Sequence, residues 1–202
     1  FKWIADLMRR FETENYDFIY ATEESYGHLI EKEVRDKDGI SAAALTAEMT
    51  LYWRSQGKSL LDRLEDLYKE YGYYEEKGLS FYFEGEQGMR IMNSIMEDYR
   101  KQQPDQFGGL SVICIRDVKA GTEWDRNGRI RKIDLPKSDV IQWRLEDGTL
   151  LTVRPSGTEP KIKYYILCHD HSAELCLSKE ITRKKISLIE QAITAMVDSH
   201  RI

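Results

Sequence analysis

Residues 141–167 constrain the fold of this chain more than any other stretch. Apolar and polar residues alternate through 141–145, which is the pattern of a β-strand with one buried face. Asp147-Gly148 then predicts a two-residue hairpin turn, and the apolar alternation returns beyond it. A further apolar run at 162–167 predicts another strand. We therefore expect three strands of one sheet, with the loop 154–161 joining the second strand to the third.

The rest of the second half combines strand and helix patterns. Residues 79–83 alternate as a strand and 112–115 form an apolar strand segment, whereas 117–138 contain Gly, Asp, Asn and Pro and predict a long surface excursion. Helical spacing of apolar residues predicts two helices, one with Met89, Met92, Ile95, Met96 and Tyr99 inward and one with Ile186, Ile189, Ile193, Met196 and Val197 inward. The order β-α-β-β-β-α predicts an antiparallel sheet covered by two helices.

The first half has the pattern of an α/β domain. An amphipathic helix at 4–11 precedes the short apolar run Phe18–Ala21, which predicts a buried strand ending at an acidic turn. Asp38 can cap a following helix whose small apolar residues suggest close packing on a sheet. Ser59 and Asp62 have the spacing of a capping box for one more helix.

A domain boundary is expected at 73–78, which divides the chain into residues 1–77 and 78–202. The first part holds 11 Lys/Arg against 17 Asp/Glu, and the second holds 19 against 18. Neither part is basic enough overall to predict a nucleic-acid partner, so any cationic site must be local.

Composition predicts a globular protein of the reducing cytoplasm. Hydrophobic residues make up 41% of the chain, yet no apolar run is long enough to span a bilayer and no secretory signal is present. Cys114, Cys168 and Cys176 are odd in number and lack CxxC spacing, which argues against a disulfide framework or a zinc site. Because Phe1 lies within a structured pattern, we expect a fragment of a longer chain.

The loop Arg154-Pro-Ser-Gly-Thr-Glu-Pro-Lys161 has the composition of a phosphate cradle. Arg154 offers a planar fork of donors, Ser156 and Thr158 add hydroxyls, and Gly157 lets backbone N–H groups approach an anion. The alternative is an ordinary Pro/Gly turn in which Arg154 pairs with Glu159.

A second constellation, Glu23-Glu24-Ser25, follows the predicted strand of the first half. Carboxylates accept hydrogen bonds from vicinal sugar hydroxyls, and Lys37 could contact a phosphate, so these residues suit a phosphosugar. The alternative is a solvated turn or helix start. His28 lies nearby, as either a proton carrier or a surface residue. His169 and His171 could face each other on a strand, but the residues around them do not suggest a metal site.

Four segments together resemble the α-D-phosphohexomutases, the phosphoglucomutase and phosphomannomutase enzymes. In order they are Phe1-Lys-Trp-Ile4, Glu23-Glu-Ser-Tyr-Gly27, Arg35-Asp-Lys-Asp-Gly39 and Arg154-Pro-Ser-Gly-Thr-Glu-Pro-Lys161. The resemblance implies the C-terminal half of a four-domain enzyme. It places part of an α/β/α sandwich, domain three, at 1–77, and a mobile TATA-binding-protein-like sheet with two covering helices, domain four, at 78–202.

The resemblance also implies roles for individual residues. Glu23 and Ser25 match residues that bind the sugar hydroxyls, and Lys37 matches a lysine near the substrate with a proposed acid/base or phosphate-binding role. The matches to the clamp on the non-reacting phosphate are Arg154, Ser156, Gly157 and Thr158, with Lys163 as a further candidate on the strand that leaves the loop.

The family reaction moves a phosphoryl group between O1 and O6 of a hexose. A phosphoserine and Mg²⁺ take part, and a hexose 1,6-bisphosphate forms as the intermediate. This sequence has no segment like the T-A-S-H-N-P serine loop or the D-G-D-x-D-R magnesium loop of the family. We therefore expect the chain alone to be inactive and its partners to be a phosphosugar and N-terminal domains one and two of the same polypeptide. A stand-alone phosphosugar-binding module, a purely structural domain and the phosphopentomutase branch remain alternatives, and the preference among glucose, mannose and pentose stays open.

Overall fold

The computed structural model describes residues 1–23, 26–172 and 174–201. The chain divides into two compact units, an N-terminal unit of Phe1–Asp66 and a C-terminal unit of Leu67–Ile202. In the described part of the chain, no helix combines the length and the apolar character needed to cross a membrane.

The N-terminal unit consists of helices and a small hairpin. Its elements are α1 (Lys2–Phe11), β1 (Ala21–Glu23), β2 (Gly27–Leu29), α2 (Gly39–Ser55) and the first part of α3 (Leu60–Tyr71), which continues into the C-terminal unit. Strands β1 and β2 form a two-stranded antiparallel sheet in which Glu23 lies opposite Gly27 and Thr22 opposite His28.

Both predicted helix starts of this unit are confirmed. The Asp38 carboxylate accepts hydrogen bonds from the backbone N–H groups of Ile40 and Ser41 at 2.9 and 3.1 Å. Ser59 and Asp62 form the capping box reciprocally, since the Ser59 N–H donates to the Asp62 carboxylate at 2.8 Å and the Asp62 N–H donates to Ser59 Oγ at 3.1 Å. Local hydrogen bonds of this kind need no tertiary partner, which is why sequence spacing alone locates them.

Two packing predictions for this unit are wrong. The predicted buried strand Phe18–Ala21 is a strand only at its last residue, and Ile19 is 81% exposed. Residues 18–20 pair with no strand of the described chain, and an apolar run forms a buried strand only where neighbouring strands and covering layers exist. Helix α2 forms as expected, but none of its residues is buried, and Ile40 and Leu51 are largely exposed.

The C-terminal unit is an antiparallel sheet covered by two helices, as predicted. Its elements are β3 (Tyr73–Tyr82), α4 (Gly85–Lys101), β4 (Gln106–Phe107), β5 (Leu110–Asp117), β6 (Thr122–Asp125), β7 (Ile130–Lys132), β8 (Ile141–Leu145), β9 (Leu150–Pro155), β10 (Lys161–Asp170) and α5 (Leu175–Ser199). The strand order is β3-β10-β9-β8-β5-β6-β7, with β4 paired to β5.

Two segments of this unit differ from the sequence pattern. Residues 73–78, where a domain boundary was expected, form the first part of β3 and pair with β10 along their whole length. The excursion 117–138 is not purely irregular, because it contains the hairpin β6–β7, which extends the sheet beyond β5. The division into residues 1–77 and 78–202 stays a prediction.

The core lies between the sheet and helices α4 and α5. Trp143, Tyr164 and Val153 on the strands, and Ile189 and Ile193 on α5, have no exposed surface. The alternate strand positions point to the opposite face of the sheet, because successive side chains of a strand point to opposite sides. On that second face lie charged residues such as Arg154 and Lys163.

Candidate functional site

The predicted phosphate loop connects two neighbouring strands of the core sheet. β9 ends at Pro155 and β10 begins at Lys161, and Pro155 lies opposite Ile162 in the antiparallel register. The Ser156 N–H donates to the carbonyl oxygen of Lys161 at 2.7 Å. At the far end, the Phe83 N–H donates to the carbonyl oxygen of Pro160 at 2.9 Å. The loop is therefore held at its own base and by the chain that leaves β3.

Arg154 and Lys163 are cross-strand neighbours on the exposed face. Each lies directly opposite the other in the β9–β10 register, and both are exposed. On its other side Lys163 lies opposite Ser80 of β3. Like charges placed directly opposite each other destabilise a sheet, and within the residues that the structure describes neither cation has an ion-pair partner. The arrangement leaves two adjacent cations available for an anion.

The alternative pairing of Arg154 with Glu159 does not form. The Glu159 carboxylate instead accepts a hydrogen bond from Lys161 Nζ at 3.0 Å, and that ammonium group lies 5.0 Å from the centre of the Tyr82 ring. The Glu159 carboxylate, and after it the Tyr82 hydroxyl, raise the pKa of Lys161 above its ordinary value. The only carboxylate of the loop, that of Glu159, is therefore paired with Lys161.

The hydroxyl residues and the glycine lie at the tip of the loop. Ser156 is half-buried, Thr158 is exposed, and the Thr158 N–H points to Ser156 Oγ at 3.5 Å. A Cβ added at Gly157 would meet no atom within 4 Å, and Gly157 does not adopt a left-handed backbone conformation. Gly157 is therefore not required by the geometry of the loop itself. What the missing side chain provides is open space above the backbone, where an anion could approach.

In the N-terminal unit, Glu23 and Gly27 are coupled by close packing. A Cβ at Gly27 would lie 2.5 Å from Glu23 Oε1 and 2.6 Å from Cε2 of the Phe1 ring. Only glycine leaves room for the Glu23 carboxylate in this position. Ser25 and Glu24, the other residues predicted to form the sugar-binding loop, lie outside the described residues.

Lys37 lies next to the Glu23 carboxylate. Its Nζ is 3.7 Å from Glu23 Oε1 and 5.5 Å from the centre of the Phe1 ring. The structure thus brings together the Glu23 carboxylate and the Lys37 ammonium group, which the sequence predicts to bind the same phosphosugar. The exposed ammonium group of Lys37 remains free to contact a second anion.

His28 points away from that pair. It lies opposite Thr22 in the β1–β2 hairpin, whereas Glu23 lies opposite Gly27, so the two side chains are on different faces of the hairpin. His28 Nδ1 is 2.6 Å from the Tyr20 hydroxyl and 3.2 Å from Thr22 Oγ1. These contacts give His28 a local structural role and leave its role in catalysis a prediction.

His169 and His171 form an aromatic cluster with Tyr74. The two imidazoles are 5.1 Å apart between ring centres, and His169 stacks on Tyr74 at 5.4 Å. Across residues 1–23, 26–172 and 174–201, no group of three or more His, Cys, Asp or Glu side chains could hold a metal ion. The cysteines at 114, 168 and 176 are all unpaired thiols.

Sequence reasoning did not identify an arginine-rich cleft in the C-terminal unit. The cleft has a volume of about 420 Å³ and lies beside β7, where Arg126, Arg129, Arg131 and Arg144 line it. The sequence did contain a signal for this cleft, because Arg129 and Arg131 have the spacing of two side chains on one face of a strand. Those residues belong to the segment that was predicted to be irregular.

Family models match most of the chain. Residues 1–71 match the phosphoglucomutase/phosphomannomutase alpha/beta/alpha domain III, and residues 85–184 match the C-terminal domain of the same family. A phosphoglucomutase of Staphylococcus epidermidis is 40% identical over 173 residues, which cover 85% of this chain and 31% of that protein. A phosphoglucomutase of Staphylococcus haemolyticus is 36% identical over 167 residues, covering 82% and 30% respectively.

A solved structure agrees with this fold. The open form of the Paramecium exocytosis-sensitive phosphoprotein pp63/parafusin, a phosphoglucomutase, superposes with a TM-score of 0.56 at 13% identity and covers 98% of this chain and 32% of its own. The chain therefore spans about a third of the length of the relatives it matches. It belongs to the phosphoglucomutase/phosphomannomutase family and contains domain III sequence followed by the C-terminal domain.

Proposed function

We propose that this chain is the substrate-binding half of an enzyme that interconverts hexose 1-phosphate and hexose 6-phosphate. The observation that carries the proposal is the pair Arg154 and Lys163, which are adjacent, exposed and without a carboxylate partner in the described residues, because Glu159 is bound to Lys161. Membership of the phosphoglucomutase/phosphomannomutase family supports the same reaction.

In this proposal the C-terminal unit binds the phosphate that does not react. The Arg154 guanidinium donates two parallel hydrogen bonds to phosphate oxygens, Lys163 adds a second positive charge, and the hydroxyls of Ser156 and Thr158 complete the cradle with the open backbone at Gly157. A bisphosphorylated hexose must bind in two opposite directions during the reaction. A compact cationic cradle can hold either of its phosphates, and holding one end positions the other for transfer.

The N-terminal unit binds the sugar. The Glu23 carboxylate accepts hydrogen bonds from neighbouring hydroxyls, Ser25 supplies a further polar contact, and Lys37 orients the carboxylate while facing the ligand. A carboxylate that accepts hydrogen bonds from particular hydroxyls makes binding selective for the sugar. A sugar whose hydroxyl points elsewhere would leave the carboxylate without a donor.

The phosphoryl donor and the metal lie elsewhere in this proposal. Magnesium would neutralise charge on the transferring phosphoryl group, but the described residues of this chain do not form a site for it. The chain also lacks the serine loop and the acidic metal loop of the family. We therefore expect no mutase turnover from the 202 residues alone, and N-terminal domains one and two of the same polypeptide would supply both groups.

Steady-state kinetics of the full-length polypeptide that contains this chain would test the proposal. With glucose, mannose and ribose 1-phosphates as substrates, Arg154→Ala should lower kcat/KM for all three sugars by about 10- to 100-fold, since it removes a charge-assisted hydrogen-bonding group. Glu23→Ala should affect the three sugars unequally. Arg90→Ala, which removes an exposed arginine that pairs with Glu86 along α4, is the matched control and should change nothing.

The alternatives give different results in the same assay. No turnover of any phosphosugar by the full-length polypeptide would favour a stand-alone phosphosugar-binding module, and highest activity on the pentose would assign the phosphopentomutase branch. An Arg154→Ala enzyme with wild-type kcat/KM would refute the phosphate clamp, and equal effects of Glu23→Ala on all sugars would refute its role in sugar selection.

A further inference from the structure

The C-terminal unit has a second concentration of positive charge, away from the Arg154 loop. A cleft of about 420 Å³ lies between β5, β8 and the hairpin β6–β7. Four arginines line it: Arg126, Arg129, Arg131 and Arg144. Arg144 and Asp125 both lie opposite Cys114 in the sheet register, which places Cys114 between them at the floor of the cleft.

The two carboxylates of the cleft are already engaged. Glu123 accepts hydrogen bonds from Arg116 at 2.9 and 2.5 Å, and Arg116 is not one of the four arginines. The Oδ1 atom of Asp125 accepts from the backbone N–H groups of Asn127 and Arg129 at 2.9 and 3.1 Å. Within the described part of the chain none of the four arginines has an ion pair, although Glu123 lies opposite Arg131 in the β6–β7 register.

The turn that carries two of these arginines is ordered by several hydrogen bonds. Besides the Asp125 side chain, the Asp125 N–H donates to the Arg129 carbonyl oxygen at 3.1 Å, and the Gly128 N–H donates to the Asp125 carbonyl oxygen at 2.9 Å. Gly128 has a φ of 74°, which a glycine adopts without strain. Hydrogen bonds within the turn thus hold the backbone at Arg126 and Arg129, both of which line the cleft.

The cleft and the Arg154 loop are separate sites. Arg144 lies opposite Leu150 in the register, four residues before Arg154 on β9. At about 3.3 Å per residue, the two positions are roughly 13 Å apart along the strand. That separation exceeds the screening length of about 8 Å at physiological ionic strength, so an anion in the loop would not neutralise the cleft.

We propose that the cleft lined by Arg126, Arg129, Arg131 and Arg144 is a second anion-binding site, whose ligand is a small molecule carrying two or more phosphate groups. Guanidinium groups bind phosphate oxygens through paired hydrogen bonds, and four of them around one space match a multiply charged anion better than a single phosphate. The volume falls within the range of small-molecule sites. The proposal does not depend on the reaction assigned to the chain.

Calorimetric titration of the 202-residue chain with inorganic pyrophosphate tests this site. The double variant Arg129→Ala/Arg131→Ala should bind pyrophosphate about tenfold more weakly or worse, which corresponds to the loss of a charge-assisted contact. Both side chains are exposed, so the fold should persist, as far-ultraviolet circular dichroism can verify. The matched control is Arg90→Ala/Lys184→Ala, which removes the same charge from the helices of the same unit.

Two further measurements separate the cleft from the loop and from general electrostatics. Arg154→Ala should leave pyrophosphate binding to the cleft intact, and the cleft should bind pyrophosphate at least tenfold more tightly than orthophosphate. The proposal is overturned if Arg129→Ala/Arg131→Ala binds pyrophosphate as the wild type does, if the helix control weakens binding equally, or if orthophosphate binds the cleft with the same affinity.

Discussion

Replacing Lys163 by Gln should stabilise the chain without phosphate and weaken its response to phosphate. Lys163 lies directly opposite Arg154, so the change removes one cation from a like-charged pair while keeping a long polar side chain on β10. A residue with only a structural role would not give effects of opposite sign. The two effects therefore report on whether β9 and β10 were arranged to bind an anion.

The expected magnitudes follow from the register. Two unit charges about 6 Å apart in water repel each other by about 0.7 kcal/mol, and salt screening and side-chain movement reduce this to about 0.5 kcal/mol. Phosphate at 100 times its Kd stabilises the wild type by about 2.7 kcal/mol. If Lys163→Gln binds phosphate tenfold more weakly, the same concentration adds only about 1.4 kcal/mol. The variant should thus be more stable in the absence of phosphate and less stable in its presence.

Scanning calorimetry with and without phosphate would measure this change in the sign of the stability difference. One kcal/mol corresponds to about 4 °C for a unit of this size, so Tm should rise by about 2 °C in the variant without phosphate and fall below the wild-type value by about 3 °C with it. Lys77→Gln on β3 is the control, because Lys77 lies opposite Ile166 and faces no cation across the β3–β10 pair. A variant that loses stability without phosphate, or that gains as much from phosphate as the wild type, would contradict the reasoning.

Three further perturbations test other contacts. Tyr164→Phe removes the buried hydrogen bond between the Tyr164 and Tyr99 hydroxyls, which are 2.9 Å apart, and should cost about 1–2 kcal/mol of unfolding free energy in a urea titration. Asp147→Asn breaks the 2.9 Å ion pair with Lys185 and should cost about 1–2 kcal/mol at neutral pH. Burial raises the pKa of Asp147, but the hydrogen bonds from Lys185 and Thr149 together outweigh burial and lower the pKa below its ordinary value. This contribution is therefore fully present above the ordinary carboxyl pKa and is lost as the pH falls through the lowered pKa. Urea titrations at pH 7 and pH 3 should show the variant approaching the wild type at pH 3. Gly27→Ala should displace the carboxylate on the opposite strand and lower kcat/KM of the full-length enzyme about tenfold, with phosphate affinity of the isolated chain unchanged.

Local chemistry and alternation made much of the C-terminal unit predictable. Asp147-Gly148 determines the β8–β9 hairpin because Gly148 adopts a φ of 88°, which favours glycine. The alternation around Trp143 identified a strand because its partners are present in the same unit: Tyr99 and Phe107 pack against the indole ring. Where the covering layer belongs to the described chain, the apolar pattern and the burial agree.

The hairpin β6–β7 was missed although Trp124 carried a signal. Trp124 packs against the core between the polar residues Glu123 and Asp125, which is the alternation of a short strand. The Gly and Asn residues that surround it dominated the prediction of an irregular segment. Short strands have few apolar positions, so the turn residues around them dominate the prediction for a segment of this length.

In the N-terminal unit the apolar pattern and the observed burial disagree. Met8 and Leu29 are the buried apolar side chains in its described residues, whereas Ile19, Ile40 and Leu51 are more than two-thirds exposed. Apolar spacing predicts which face of an element can be covered, but not whether the covering element is present. The starts of α2 and α3 were therefore predicted correctly from their caps, whereas the packing of α2 and of residues 18–21 was not.

The core of the C-terminal unit also determines the geometry of the proposed phosphate clamp. Val153 and Tyr164 lie opposite each other with no exposed surface, so the next positions along β9 and β10, Arg154 and Lys163, must both point away from the core and face each other. A slip of one residue in this register would turn both cations into the core, at a cost no anion could offset. The register that buries the apolar residues is thus the same register that pairs the two cations, and anion binding at this loop depends on core packing even though no core residue contacts the anion.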